Sequence, residues 1–309
     1  MSETPFFSII MPLYNKQPYV KRAVNSIMRQ SFHDFELIVV DDGSTDGSIF
    51  EIPDNNPKIR LFRQQNSGPS IARNRGIEEA TGQYVTFIDA DDYYYEFKLE
   101  QNARLLLDHP DIDWLISAFD LKSGDDSNFR GFKNLAGAPI NGEPIVINNA
   151  LLDLDISGIH INGLCVKKDL IWSLLKGFRE DIHCFEITDI MIRCALVRPR
   201  VIVDPTPLYS VVDVPNSAFK SSENKTYGSR RMSQLYIVLN NDFRRTVKHY
   251  ENKGMGMCFS HVAGLIQSKK KDMAKQYLLH SFPYKKNGEW VKYFLRCLIP
   301  AWLLNGNRN

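Results

Sequence analysis

Three carboxylates close an apolar run at Tyr84-Val-Thr-Phe-Ile-Asp-Ala-Asp-Asp92. A buried strand that ends this way lifts Asp89 and Asp91 to the lip of a sheet, two positions apart and on one face. Like charges gathered there repel each other. A divalent cation reverses that cost, because hard cations take carboxylate oxygen. The same residues can instead form an acidic turn into a helix, with Asp91 or Asp92 as its cap. Alternation turns Asp92 to the other face, so it is read as a cap. A second acidic pair, Asp41-Asp42, follows the apolar run 35–40 and opens a turn-rich stretch to Gly47. A further carboxylate, Asp189, lies on a helix predicted over 186–197. The apolar stripe of that helix is Ile187, Ile190, Met191 and Cys194, so Asp189 falls opposite it, toward solvent or a cleft.

These groups are useful only if the chain brings them together. Residues 6–11 read as a buried strand closed by Pro12, and 13–15 as a loop. Helical spacing follows over 19–30, then strands over 35–40 and 59–62. Pro69 sits at a first helical position, ahead of a helix over 70–80 stopped at Thr81-Gly82. Residues 84–88 form the next strand. Strand alternating with helix at this spacing predicts an α/β fold with a mostly parallel sheet covered on both faces. Ligands then bind beyond the carboxyl ends of the strands. Pro12 to Asn15, Asp41-Asp42 and Asp89 to Asp91 all follow such ends and converge on one crevice.

Downstream, a helix is expected over 97–107, a strand over 113–118 and a hairpin or flexible excursion over 122–141. Residues 145–154 read as helical, and 162–166 as a short strand leading to a helix over 169–175. Strand character over 201–212 is broken by prolines. The sheet domain is expected to span 1–215, with a helical region over 216–309. Within that region, 290–304 is apolar and aromatic, with Lys285, Lys286, Lys292 and Arg296 close by. It can lie in a membrane interface or pack as a C-terminal helix.

Composition sets outer bounds. The 309 residues are 43% apolar and 24% charged, which suits a folded core. A net charge of +2 argues against bulk nucleic-acid binding. Five scattered cysteines make no CxxC pair and suit a reducing compartment. No secretion signal is legible at the start, and no run reaches the roughly 20 apolar residues of a membrane span. The expected location is cytoplasmic, with peripheral attachment to the inner face of the membrane as an option for the tail. His160, His183, His249 and His261 are isolated and read as structural or exposed.

Four blocks together carry a resemblance: Ser8-Ile-Ile-Met-Pro-Leu-Tyr-Asn15, Val40-Asp-Asp-Gly-Ser-Thr-Asp-Gly47, Asn66-Ser-Gly-Pro-Ser-Ile-Ala-Arg-Asn-Arg-Gly76 and Asp89-Ala-Asp-Asp92. In this order and spacing the chain resembles the family-2 glycosyltransferases of GT-A fold, such as those of bacterial polysaccharide, lipopolysaccharide and capsule assembly. The resemblance implies a Rossmann-like sheet and an inverting transfer from a nucleotide sugar, a UDP-sugar by preference. The acceptor would be a glycan or a lipid-linked saccharide. It implies a divalent cation, Mn2+ or Mg2+, on Asp91 and Asp89, with Asp89 also near the ribose. Pro12, Leu13, Tyr14 and Asn15 would line the nucleotide site. Asp41 or Asp42 would accept the pyrimidine N3–H. Gly68, Arg73 and Asn74 would lie beside the nucleotide and diphosphate.

The family's catalytic base is the aspartate of a Glu-Asp pair that opens a helix after a Phe-x-Glu loop. Phe178-Arg-Glu180 matches the loop and makes Asp189 the expected base, but Thr188 replaces the first acid. Beyond residue 120 the resemblance thins. Thr188 motivates the alternative of a non-catalytic sugar-nucleotide or glycan-binding subunit. A nucleotidyltransferase or dinucleotide oxidoreductase fits less well, since no Gly-rich loop follows the first strand.

Overall fold

The computed structural model describes residues 4–124, 126–133, 138–154, 159–180 and 186–214. They lie within one compact unit. The expected helical region over 216–309, including 290–304, lies outside the described residues. So does His183, and so do His249 and His261.

The strands are β1 (Phe7–Leu13), β2 (Phe35–Asp41), β3 (Ile59–Arg63), β4 (Tyr84–Phe87), β5 (Tyr93–Tyr94), β6 (Trp114–Ser123), β7 (Asp126–Arg130), β8 (Phe132–Lys133), β9 (Pro139–Ile140), β10 (Ile145–Ile147), β11 (Leu164–Lys167) and β12 (Val201–Val212). The α-helices are α1 (Gln17–Met28), α2 (Pro69–Glu79), α3 (Lys98–Asp108), α4 (Ala150–Asp153) and α5 (Glu186–Val197). The main sheet runs β10-β12-β6-β11-β4-β1-β2-β3 among the described residues, with β5 added to β12 and β7 to β6.

The last four strands of this order are parallel: β4, β1, β2 and β3 all run together. Their carboxyl ends therefore share one rim, as the alternation of strand and helix requires. β11 then inserts antiparallel between β4 and β6, while β12 runs parallel to β6. Helices pack by ordinary patterning where the core is apolar. α1 buries Val20, Ala23, Val24 and Ile27, the i, i+3, i+4, i+7 set. α2 differs, because its buried set includes Ser70, Arg73 and Asn74. It sits so close to β1 that a Cβ on Gly76 would lie 2.5 Å from Ile10.

Several elements depart from the sequence pattern. Pro12 does not close β1, which runs on to Leu13. β4 pairs with β1 only as far as Ile10, so the strand is open on one side where the proline lacks its N–H. Residues 145–147 form a strand, not a helix; Ile-Val-Ile is β-branched throughout and pairs with β12. Residues 201–212 form one strand despite two prolines, which β-bulges at Asp204 to Tyr209 absorb. Residues 169–174 coil as a π-helix. The stretch 122–141 is a hairpin of β6 and β7 with a small β8–β9 pair beyond it.

At the rim opposite the acidic turn, Glu36 ties the parallel strands together. Its Oε1 accepts from Ser8 Oγ at 2.6 Å and from Thr81 N and Oγ1, each at 2.7 Å. Its Oε2 accepts from Arg60, which also holds Glu79.

Candidate active site

At the carboxyl rim, the loops after β1 and β2 are stitched to each other. Asn15, with φ of +50°, donates its N–H to Ser44 Oγ and accepts from Thr45 N. Asp41 accepts from Ser44 N and lies 3.2 Å from Arg63 Nε. Asp42 fixes the next loop: it accepts from Gln64 Nε2 and Ser67 N through Oδ1, and from Gly68 N through Oδ2 at 2.8 Å. Gly68 precedes α2 at φ of +93°, and among the described residues no atom beyond its chain neighbours lies within 4 Å of the position a Cβ would take. That combination needs glycine and leaves open space beside the first turn of α2. Leu13 is buried, Pro12 half-buried and Tyr14 47% exposed.

The acidic turn begins where β4 stops, at Phe87. Asp92 donates its backbone N–H to the Asp89 carbonyl, so the chain no longer alternates. Asp92 is therefore no exposed cap. It is buried and accepts from Asn162 Nδ2 at 2.6 Å and Val212 N at 2.8 Å. Asn162 also accepts from Asp89 N. Burial, with Asp89 and Asp91 alongside, pushes the Asp92 carboxyl well above the usual range. Burial acts the same way on Asp89, but Arg73 and His160 outweigh it and hold that carboxyl low. Asp91 pairs with Lys16, whose Nζ lies 2.6 Å from its carboxylate, and Arg22 donates to its carbonyl.

Asp89, Asp92 and His160 each offer a ligand atom, and these atoms all lie within 4.8 Å of one another. A cation with ligands at about 2.1 Å separates neighbouring ligands by about 3 Å and opposite ones by about 4.2 Å. The group thus fits a divalent cation with little movement, and a cation would relieve the repulsion felt by Asp92. Asp91 belongs to the same turn, and its Oδ2 is held by Lys16. The chain's spacing gave no sign of His160; its Nε2 is 3.8 Å from Asp89.

Arg73 links this turn to the far side of the crevice. It is 4% exposed, donates to Asp89 Oδ1 at 2.9 Å and to Glu186 Oε1 at 3.2 Å, and lies over the Phe178 ring. Asn74 is spent on the loop after 177. Its side chain brackets the Phe178 backbone through both N–H and C=O and reaches Glu180.

Asp189 does not face solvent. It is fully buried on α5 and paired with Arg193 at 2.7 Å. Arg193 is itself anchored on the Leu175 and Gly177 carbonyls. The acid that α5 brings to Arg73 and Asp89 is Glu186. The only sequence signal for Glu186 was an acid in a helix's first turn. Lys16 directly follows the first block, and its role shows only in its contact with Asp91.

Residues 8–141 match the sequence model of glycosyl transferase family 2. That part of the chain belongs to this family. The family-2 domain is 43% identical over 112 residues to the uncharacterized glycosyltransferase YibD of Escherichia coli, covering 35% of this chain and 32% of that protein. It is 37% identical over 109 residues to the putative teichuronic acid biosynthesis glycosyltransferase TuaG of Bacillus subtilis, covering 34% of this chain and 43% of TuaG. These matches span less than half of either relative. In fold, the chain is similar to S. aureus TarS 1–349 in complex with UDP-GlcNAc, with a TM-score of 0.71, 20% identity, and coverage of 93% of this chain and 81% of that one. It is also similar to the mannosyltransferase PcManGT of Pyrobaculum calidifontis in complex with GDP-Man and Mn2+, with a TM-score of 0.57, 17% identity, and coverage of 96% and 85%. The family-2 domain has the GT-A fold. Among the described residues, no helix is long and apolar enough to cross a membrane.

Proposed function

We propose that this chain transfers a sugar from a nucleoside diphosphate sugar to a glycan or lipid-linked acceptor, inverting the anomeric centre, in cell-surface polysaccharide synthesis. One observation carries the proposal. Asp89 is held between Arg73 and His160, on the rim where the Asp42–Gly68 loop opens a space at the first turn of α2. The relatives support it: TuaG is named for teichuronic acid synthesis, and TarS was solved with UDP-GlcNAc.

Each residue then has work to do. Pro12, Leu13, Tyr14 and Asn15, with Asp41 or Asp42, border the base and ribose. Gly68 lets a diphosphate approach the α2 backbone. Arg73 offers charge to the phosphates. Asn74 acts at one remove, by fixing the loop at Phe178. Asp89, Asp92 and His160 would hold Mn2+ or Mg2+, with Asp91 as a further ligand once Lys16 releases it. When bound, such a cation offsets the charge that grows on the leaving diphosphate. UDP-sugars are the favoured donors. Peripheral contact of 290–304 with the cytoplasmic face of a membrane remains part of the proposal.

A thermal-shift screen of UDP-GlcNAc, UDP-glucose, UDP-galactose and GDP-mannose, with Mn2+ and with a chelator, tests this. At least one donor should raise Tm with Mn2+, and Asp89→Asn should abolish the shift. The absence of any shift refutes nucleotide-sugar binding. Binding without release of nucleoside diphosphate would instead favour a non-catalytic subunit.

A further inference from the structure

We propose that Glu186, rather than Asp189, takes the proton from the attacking acceptor hydroxyl. The assignment rests on the transferase function above and names one residue within it.

Two carboxylates of α5 compete for the role, and their surroundings differ. Asp189 lies one turn deeper, about 4.5 Å further along the helix axis. It has no exposed surface and is paired with Arg193, whose guanidinium is pinned to two backbone carbonyls. Reaching a substrate would mean dismantling that arrangement. Glu186 stands at the first turn of α5, keeps 13% of its side chain exposed, and shares the Arg73 guanidinium with Asp89. It is therefore the α5 carboxylate at the acidic turn.

Arg73 also explains how Glu186 is held in place at the acidic turn. One guanidinium bridges the Asp89 and Glu186 carboxylates. Arg73 Nε is buried and makes no hydrogen bond to the described residues. A donor diphosphate would compete for this guanidinium and loosen its hold on Glu186. Release of Glu186 from Arg73 would then follow donor binding.

The step balances. The acceptor O–H bond breaks and its proton passes to a Glu186 oxygen. The acceptor oxygen bonds the anomeric carbon as the bond from that carbon to the diphosphate oxygen breaks. The electron pair leaves on the diphosphate, beside Arg73.

The test uses the full chain and water as acceptor, following nucleoside diphosphate release from UDP-GlcNAc, UDP-glucose, UDP-galactose and GDP-mannose with Mn2+. Proton transfer by a positioned side chain contributes about 100-fold or more, so Glu186→Gln should lower kcat by at least about 100-fold. UDP affinity by calorimetry should stay within about threefold, and Glu186→Asp should recover part of the rate. Asp189→Asn should lower Tm while kcat falls by less than about fivefold. The assignment is overturned if Glu186→Gln keeps its kcat, or loses UDP affinity in step with it. It is also overturned if Asp189→Asn is the variant that loses catalysis at full UDP affinity. A wild-type chain that binds no nucleotide sugar, or releases no diphosphate, refutes the transferase function itself and this assignment with it.

Discussion

Glu36→Gln should uncouple stability from chemistry, because Glu36 holds the amino rim of the sheet while the acidic turn lies on the carboxyl rim. The glutamate is almost fully buried, and burial alone would raise its pKa. Ser8, Thr81 and Arg60 outweigh that and hold it below the ordinary carboxylate value. The amide keeps the shape but loses the charge behind three hydrogen bonds of 2.6 to 2.7 Å on Oε1. A hydrogen bond to a charged group contributes about 1.5–3 kcal/mol, and the amide retains part of each. Arg60 is 36% exposed, so its share is screened by solvent and adds little. The net loss should be about 2–3 kcal/mol at pH 7.5, or roughly 4–12 °C in Tm for a domain of this size.

The pH dependence follows from the depressed pKa. Above the unfolded value of about 4.3 the wild type holds the full advantage. As pH falls through the lower folded pKa, Glu36 takes up its proton and the advantage disappears. Urea unfolding of wild type and variant at pH 7.5, 5.5 and 4 should show an equal gap at the first two values and a smaller one at the third. Nucleoside diphosphate release at 25 °C should be unaffected at pH 7.5. A gap below about 0.5 kcal/mol at pH 7.5, or one that persists unchanged at pH 4, would refute the reasoning.

Two further substitutions probe the interior. Lys98 is fully buried against Tyr94, Tyr209 and Ser117, and burial pushes its ammonium down to about 8. The unfolded chain thus binds more protons between about pH 8 and 10.4. Lys98→Met should be the more stable form at pH 7, by an order of about 3 kcal/mol, and lose that lead by pH 10 in denaturant titrations. Gly177→Ala should cost about 2–3 kcal/mol, since φ is +70° and the new Cβ would sit 2.4 Å from Asn74 Oδ1. Because Asn74 clamps the loop before α5, that variant should also lower kcat, measured as diphosphate release.

Much of the carboxyl rim was legible in the chain. An apolar run ending in Asp89-Ala-Asp91, a glycine and proline before a helix, and strands alternating with helices are local patterns. Period and turn chemistry encode them over a few residues, and they were enough to place three loops at one edge. The partners of each charge were not legible, because they come from distant segments. Asn162 and Val212 reach Asp92 across 70 and 120 residues. Lys16 reaches Asp91 across 75. Only strand order decides such meetings: β11 inserts beside β4, and β12 returns past β5. The same holds for α5. Helical periodicity put Asp189 opposite the apolar stripe, toward solvent or a cleft, but the carboxylate is fully buried and paired with Arg193, and it is Glu186 that meets Arg73. Sequence thus determined where the acids stand along their own elements. Tertiary packing decided which of them remain open to a ligand, because burial and pairing depend on what folds against each face.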